Sequence, residues 1–534
     1  MQHWWQDKVI YQIYPKSFKD TDGDGLGDLQ GVISKLDYLE NLGIGGIWLS
    51  PVFKSPQVDN GYDVSDYEDI DPIFGTMEDM QELIEKADEH NIKIILDLVL
   101  NHTSDQHRWF QEALKGPENK YFDYYIWREE PNGIVSSFGG TAWTYVEDLG
   151  LYYYHHYAPE QPDLNWENED MRHDIYKMIN NWIDRGVGGF RLDVIDELAK
   201  DIDNEEIIRY PQIHDIIREL SHYCFQGKDI LTVGETWSAN IEEAKNWSNP
   251  DGSELSMVFQ FEHSLLDQED GKSKFDLVPL DLMDLKEVLS RWQTDLKDEG
   301  WNSLFFENHD LPRIVSRWGN DQEYREQSAK MFATLIHGMQ GTPYIYQGQE
   351  LGMTNPHWRD INKYEDVESI NLYNERLEAG YTEAEIYDSL EAKSRDNART
   401  PMQWDDSKHA GFTDGEPWID LNSNYKEINA KDQVDDENSV YNHYKQLVNL
   451  RKGSKLLVYG DYELILADDP EVFAYKRSLD NEELIVICNF YEHTLDRDIE
   501  KLLDGHELIV ESYEDLEDTN VLRPYESRMY YKKA

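Results

Sequence analysis

The sequence predicts an α/β fold. It is a (β/α)8 TIM barrel with a subdomain inserted after strand three and a C-terminal antiparallel β-sandwich domain. Three observations lead there. Eight short apolar runs recur between residues 9 and 348, and helical patterns with acidic starts separate most of them. Near Leu457 the texture changes to short runs punctuated by turn residues.

The first four runs are VIYQIY (9–14), IGGIWLS (44–50), IKIILDLVL (92–100) and GVGGFRLDV (186–194). The others are ILTVGE (230–235), LSMVFQF (255–261), NSLFFENHD (302–310) and TPYIYQG (342–348). Continuous rather than alternating hydrophobicity suits parallel strands covered on both faces. Between runs, TMEDMQELIEKADEH (76–90) and RHDIYKMINNWIDRG (172–186) space their apolar residues as helices do. Residues 101–171 are aromatic-rich without clear helical periodicity and read as an inserted domain. The barrel is therefore expected over 1–100 and 172–457, with a further insertion at about 352–400. YELILA, VFAYKRS and SLDNEELIVICNF place a β-domain over 458–534.

Composition narrows the function classes. At 534 residues, 39% of them hydrophobic, the chain can bury more than one core. Fifty basic against 108 acidic residues give a net charge of −58, which repels nucleic acid and anionic membranes alike. Such a surface reads as adaptation to salt or simply as high solubility. No apolar run reaches the roughly 18 residues of a membrane span, and the first residues carry no signal-peptide pattern. Cys224 and Cys488 alone make no disulfide framework, so a reduced, cytoplasmic compartment and a monomer are expected.

In a barrel of this type the active site lies at the C-terminal ends of the strands, and here those ends carry acids repeatedly. Asp97, Asn101 and His102 end strand three; Arg191 and Asp193 end strand four; Glu235 ends strand five; Asn308, His309 and Asp310 follow strand seven. A lone acid at such a place usually caps a helix. Several converging carboxylates are costly near a core and suggest chemistry. Paired carboxylates are the apparatus of glycoside hydrolysis. Arg191 and Asp193, two apart on a strand, share a face, so the guanidinium is expected to keep Asp193 ionised for nucleophilic attack. Glu235 follows ILTVG, where partial desolvation would suit a general acid. Asp196 opens DELAK and reads as the cap of the next helix. Trp237 is a candidate for stacking on sugar or an ordinary core residue. His155 and His156 read as structural.

The motifs DLVLNH (97–102), QPDLN (161–165), GFRLDVID (189–196), VGETW (233–237), FFENHD (305–310) and GTPYIYQGQE (341–350) follow one another in a specific order. This set resembles that of the alpha-amylase superfamily (glycoside hydrolase family 13) over nearly the whole chain. NGYDVSDY, FGGTAW, ELSMVFQFEH and RDNARTPMQWD resemble its oligo-1,6-glucosidase and dextran glucosidase branch. The resemblance implies Asp193 as nucleophile, Glu235 as general acid/base and Asp310 as transition-state stabiliser, in a retaining mechanism with carboxyls ~5–5.5 Å apart. It also implies that His102, Arg191 and His309 surround the cleaved sugar, that Tyr62 stacks beneath it, and that Asp97 supports the site. Asp59 and Arg395 would close the pocket behind the terminal glucose. Val194, after the nucleophile, resembles the members that prefer alpha-1,6 bonds.

DTDGDGLGD (20–28) places oxygens at Asp20, Asp22, Asp24, the Leu26 carbonyl and Asp28, with Gly25 at the turn. That is a calcium-loop spacing through its ninth position, but Gly31 stands where a helix-loop-helix hand needs its last acid. The resembling branch carries a structural calcium in this loop. The expected activity is exo-hydrolysis of alpha-1,6-glucosides: isomalto-oligosaccharides, panose or dextran ends. The alternatives are an alpha-1,4-glucosidase, a trehalose-6-phosphate hydrolase and a transglycosylase or sucrose isomerase. A non-catalytic amylase-like subunit is disfavoured by the presence of all three acids and the lack of an anchor.

Overall fold

The computed structural model describes residues 3–516 and 518–533. The apolar runs fold as β1 (Ile10–Ile13), β2 (Gly46–Leu49), β3 (Lys93–Val99), β4 (Gly189–Asp193), β5 (Leu231–Thr236), β6 (Met257–Gln260), β7 (Ser303–Leu304) and β8 (Thr342–Tyr346). They form one parallel sheet in the order β6-β5-β4-β3-β2-β1-β8-β7. A parallel bridge between Val258 and Asn302 brings β6 beside the start of β7 and closes the barrel. The inward residues Ile10, Trp48, Ile95, Leu231, Val233, Met257, Phe259 and Tyr344 form one buried cluster. The outward ones, among them Ile47, Leu96, Phe190 and Leu192, join the larger core beneath the helices. Burial on both faces is why the runs are continuously apolar; each such side chain contributes about 1.5–3 kcal/mol.

The helices begin where the sequence supplies caps. The helix α1 (Met77–Glu89) opens on a capping box between Thr76 and Asp79. Its successor α2 (Glu169–Asp184) is capped by Asn168 and buries Met171, Ile175, Met178, Ile179 and Trp182 along one stripe.

Between β3 and α2 lies a three-stranded antiparallel sheet of Trp127–Arg128, Leu151–Tyr154 and Trp143–Val146. A six-residue helix, Arg108–Ala113, precedes it, too short to show a period in the sequence. After β8, helices Val367–Glu378 and Glu383–Lys393 lead into the short helix Asp396–Arg399, which returns the chain to the barrel mouth.

The C-terminal strands β9 (Asp461–Ile465), β10 (Val472–Leu479), β11 (Glu482–Asn489), β12 (Glu507–Glu511) and β13 (Ser527–Lys533) make an antiparallel sheet ordered β9-β10-β11-β13-β12. One face docks on barrel helices, where Tyr475 donates to the Leu335 carbonyl at 2.6 Å. The other is covered by a two-stranded ribbon through Leu495 and Leu522. Among the described residues, no helix is long and apolar enough to cross a membrane.

Candidate active site

Strand register assembles the centre. Asp97 on β3 lies beside Arg191 on β4, and Val99 beside Asp193. Arg191 donates through Nη1 to Asp97 at 2.8 Å and to Asp193 at 2.7 Å, and through Nη2 to Glu235. The guanidinium, its side chain 2% exposed, also lies over the rings of Trp48 and Tyr62. The expectation that Arg191 keeps Asp193 ionised needs correction, because one cation is divided among three buried carboxylates. Burial therefore raises the Asp193 carboxyl well above the usual range, against the pull of Arg191, and the nearby Glu235 adds to the rise. Asp97 is pushed up to about 6, again by burial against Arg191. Burial thus favours the protonated form at both Asp193 and Asp97. Asp193 and Glu235 bond the two terminal nitrogens of the one guanidinium, side by side. An inverting pair would stand ~6.5–9.5 Å apart to admit a water.

The walls are neutral imidazoles and tyrosine. Burial lowers His309 to about 3 and His102 to about 4. The Gln12 amide nitrogen, a donor only, lies 2.8 Å from His309 Nδ1, which therefore accepts and leaves the ring proton on Nε2. Nε2 faces the Tyr62 hydroxyl at 2.6 Å, and that hydroxyl donates to Asp97 at 3.0 Å. The Tyr62 ring stacks on His309, so one of its faces is already covered. His102 Nε2 donates to the Tyr62 carbonyl at 3.0 Å.

Opposite them, Asp310 accepts from Arg399 at 2.8 Å and from Arg395 at 3.4 Å. Burial works to raise Asp310, but His309, Arg395 and Arg399 hold it well below the usual carboxylate range. Arg395 reaches Asp59 at 3.5 Å, 336 positions away, and is gripped by Asp366 at 2.6 Å. Asp59 also accepts from Gln161 at 3.2 Å, and burial pushes it up to about 6. Asp59, Arg395, Asp366 and Arg399 thus form one buried charged cluster bonded to Asp310.

Two strand-end residues depart from expectation. Val194 adopts φ 37° and ψ 52°, left-handed backbone that a β-branched side chain rarely takes, and points its N–H toward Glu235 at 3.4 Å. Asp196 caps no helix. It is buried within a single 3-10 turn and accepts from both the backbone and the side chain of Ser238, because that turn is too short to need a cap. Trp237 is 42% exposed, stacks on Phe261 with centroids 3.8 Å apart, and donates its indole N–H to Glu235 at 2.9 Å.

In the 20–28 loop, Asp20, Asp22 and Asp28 bring carboxylate oxygens within 4.8 Å of one another. Asp24 stands outside that group, exposed, with its carboxylate accepting from Leu26 N–H at 2.8 Å. Asp20 accepts from the backbone of Asp22, Gly23 and Gly25, and from the Thr413 hydroxyl.

The profile of the alpha-amylase catalytic domain matches residues 12–460. The chain belongs to the alpha-amylase family. It is 49% identical to an oligo-1,6-glucosidase of Halalkalibacterium halodurans, over 99% of each chain. It is 52% identical to a glucan 1,6-alpha-glucosidase of Streptococcus pneumoniae, over 93% of this chain and 94% of that one. Among solved structures it resembles a trehalose-6-phosphate hydrolase of Bacillus licheniformis (TM-score 0.93, 47% identity, all of both chains). This alpha-amylase family member is thus a glycoside hydrolase. Sequence reasoning missed Gln12, Gln161, Asp366 and Arg399. Arg399, the second arginine of RDNARTP, shared a motif with Arg395 and was within reach. Asp366 sits in YEDVES with no local signal at all.

Proposed function

We propose that this enzyme is a retaining, exo-acting alpha-glucosidase. It removes terminal alpha-1,6-linked glucose from isomalto-oligosaccharides, panose or dextran and releases alpha-glucose. The observation that carries the reading is the pairing of Asp193 and Glu235 on one guanidinium, with the Arg395–Asp59–Asp366 cluster bonded to Asp310. Asp193 attacks the anomeric carbon while Glu235 gives a proton to the departing oxygen; Glu235 then takes a proton from the water that releases the sugar. Asp310, held ionised by its two arginines, faces the positive charge that develops on the ring. With that cluster as the closed end of the binding site, a chain terminus alone would fit, hence one glucose per cut. The linkage follows the named activities of the two curated relatives.

Initial rates on isomaltose, maltose and trehalose-6-phosphate, side by side, test the proposal; a preference for either of the last two would overturn the linkage. A phosphate-bearing substrate wants free cations at the mouth. Lys274, close enough to lower Asp310, is already taken by Glu368 at 2.7 Å. Val194 is buried beside Glu235, where its branched side chain narrows the space for the leaving sugar. Val194→Ala should raise the maltose-to-isomaltose rate ratio several-fold; an unchanged ratio removes valine from the specificity argument.

Asp20, Asp22 and Asp28 offer only hard oxygen donors, the chemistry that calcium takes. A calcium there would tie the loop after β1 to the segment at Thr413, so chelation should lower the melting temperature by several degrees and added calcium should restore it. No shift would leave the loop metal-free. The buried, unpaired Cys224 and Cys488 suit a reducing compartment, and we place the enzyme in the cytoplasm as a monomer.

A further inference from the structure

Asp196 is a buried carboxylate, 2% exposed, that the mechanism above does not use. Burying such a group is costly unless hydrogen bonds repay it. Here its Oδ2 accepts from the Ser238 N–H at 3.0 Å and from the Ser238 hydroxyl at 2.5 Å. These bonds join the loop after β4 to the loop after β5, which follow the strand ends that carry Asp193 and Glu235.

On the β5 side the tie reaches the reacting group within three residues. Ser238 is also held through its carbonyl, which accepts from the Tyr210 hydroxyl at 2.8 Å. Trp237, between Glu235 and Ser238, is fixed by Phe261 and donates to Glu235 Oε1. On the β4 side, Asp196 ends a lever of three residues from Asp193. Its first residue is the left-handed Val194, whose N–H faces Glu235 Oε2. The lever lies tight on β5: a Cβ added to Gly234 would come within 2.3 Å of Ile195. Neither oxygen of Glu235 is thus left to the strand alone.

From this geometry we propose that Asp196 is a positioning residue for the general acid. It fixes the Glu235–Trp237–Ser238 segment against the Asp193 loop, so that Glu235 meets the leaving oxygen at the right height. The proposal rests on the roles given above to Asp193 and Glu235.

The test compares two glucosides by kcat/KM, which reports the first chemical step. Isomaltose has a poor leaving group and needs the proton; 2,4-dinitrophenyl alpha-glucoside has a good one and barely needs it. A displaced acid should cost about 10²-fold on isomaltose. Asp196→Ala is therefore expected to lose about that factor on isomaltose and under about fivefold on the dinitrophenyl glucoside. Asp196→Asn, which keeps an acceptor oxygen for the Ser238 N–H, should recover part of the loss. Ser238→Ala should repeat the pattern more weakly, and it serves if Asp196→Ala does not fold. Equal losses on both substrates, or none on either, would overturn the proposal. Glu235→Gln is the reference and should give the same pattern more strongly. If it does not, the reading of Glu235 fails, which is a different outcome from a failure at Asp196.

Discussion

Asp193→Ala is expected to lower kcat on isomaltose by about 10⁵–10⁶-fold, the loss that follows removal of a nucleophile from a concerted set. Every other group in the cleft acts on a bond that Asp193 must first attack. Folding should survive and even gain. Burial disfavours the charged form of Asp193, so its carboxyl binds a proton more tightly folded than unfolded. For such a group the folded state binds more protons than the unfolded one, and stability falls as pH rises through the raised value. At pH 7 the variant should therefore melt at or above the wild-type temperature, and the difference should shrink as pH falls. Activity near the wild-type level, or a melting temperature lowered by many degrees, would contradict the assignment. The wild-type enzyme, followed by proton NMR in the first turnovers, should release alpha-glucose; beta-glucose as first product excludes retention.

Arg191→Met should be the most destabilising single change in the barrel mouth, by about 3–5 kcal/mol, the cost of leaving buried charge without its partner. Asp97, Asp193 and Glu235 all lean on this guanidinium. The pH dependence distinguishes this cause from lost packing. Asp97, already up to about 6 with Arg191 present, would rise further without it. A carboxyl whose folded value exceeds its unfolded one regains stability as it takes up its proton. The penalty should therefore be full only above that further-raised value, shrink as pH falls, and be largely gone below about pH 6. Denaturant melts at pH 8, 6 and 4.5 measure it. A penalty constant across that range would assign Arg191 a packing role only. Arg191→Lys keeps the charge without the fork, so it should recover part of the stability but little activity, since one ammonium cannot span Asp193 and Glu235.

The barrel was legible because its strands are buried on both faces and so cannot hide among polar residues. The catalytic acids were legible for the opposite reason: a carboxylate at the end of such a strand has no packing role to explain it. Asp196 shows the limit. Beside a helical pattern an acid reads as a cap, and nothing within reach along the chain announces Ser238, 42 positions away. Arg191 shows another. Spacing on a strand revealed its neighbour Asp193, whereas Asp97 and Glu235 arrive from other strands and divide its charge. Asp366 carried no signal of its own, since it matters only for the partner that the fold brings to it.

The sequence by itself determined the barrel, its two appended parts and which acids face the cleft, because period, burial and strand ends are local properties of a chain. Only the tertiary structure decided how those acids share a single cation, which arginines hold Asp310 and which groups bond to Glu235. Those are matters of distance and desolvation between residues far apart in sequence, and they exist only once the barrel has closed.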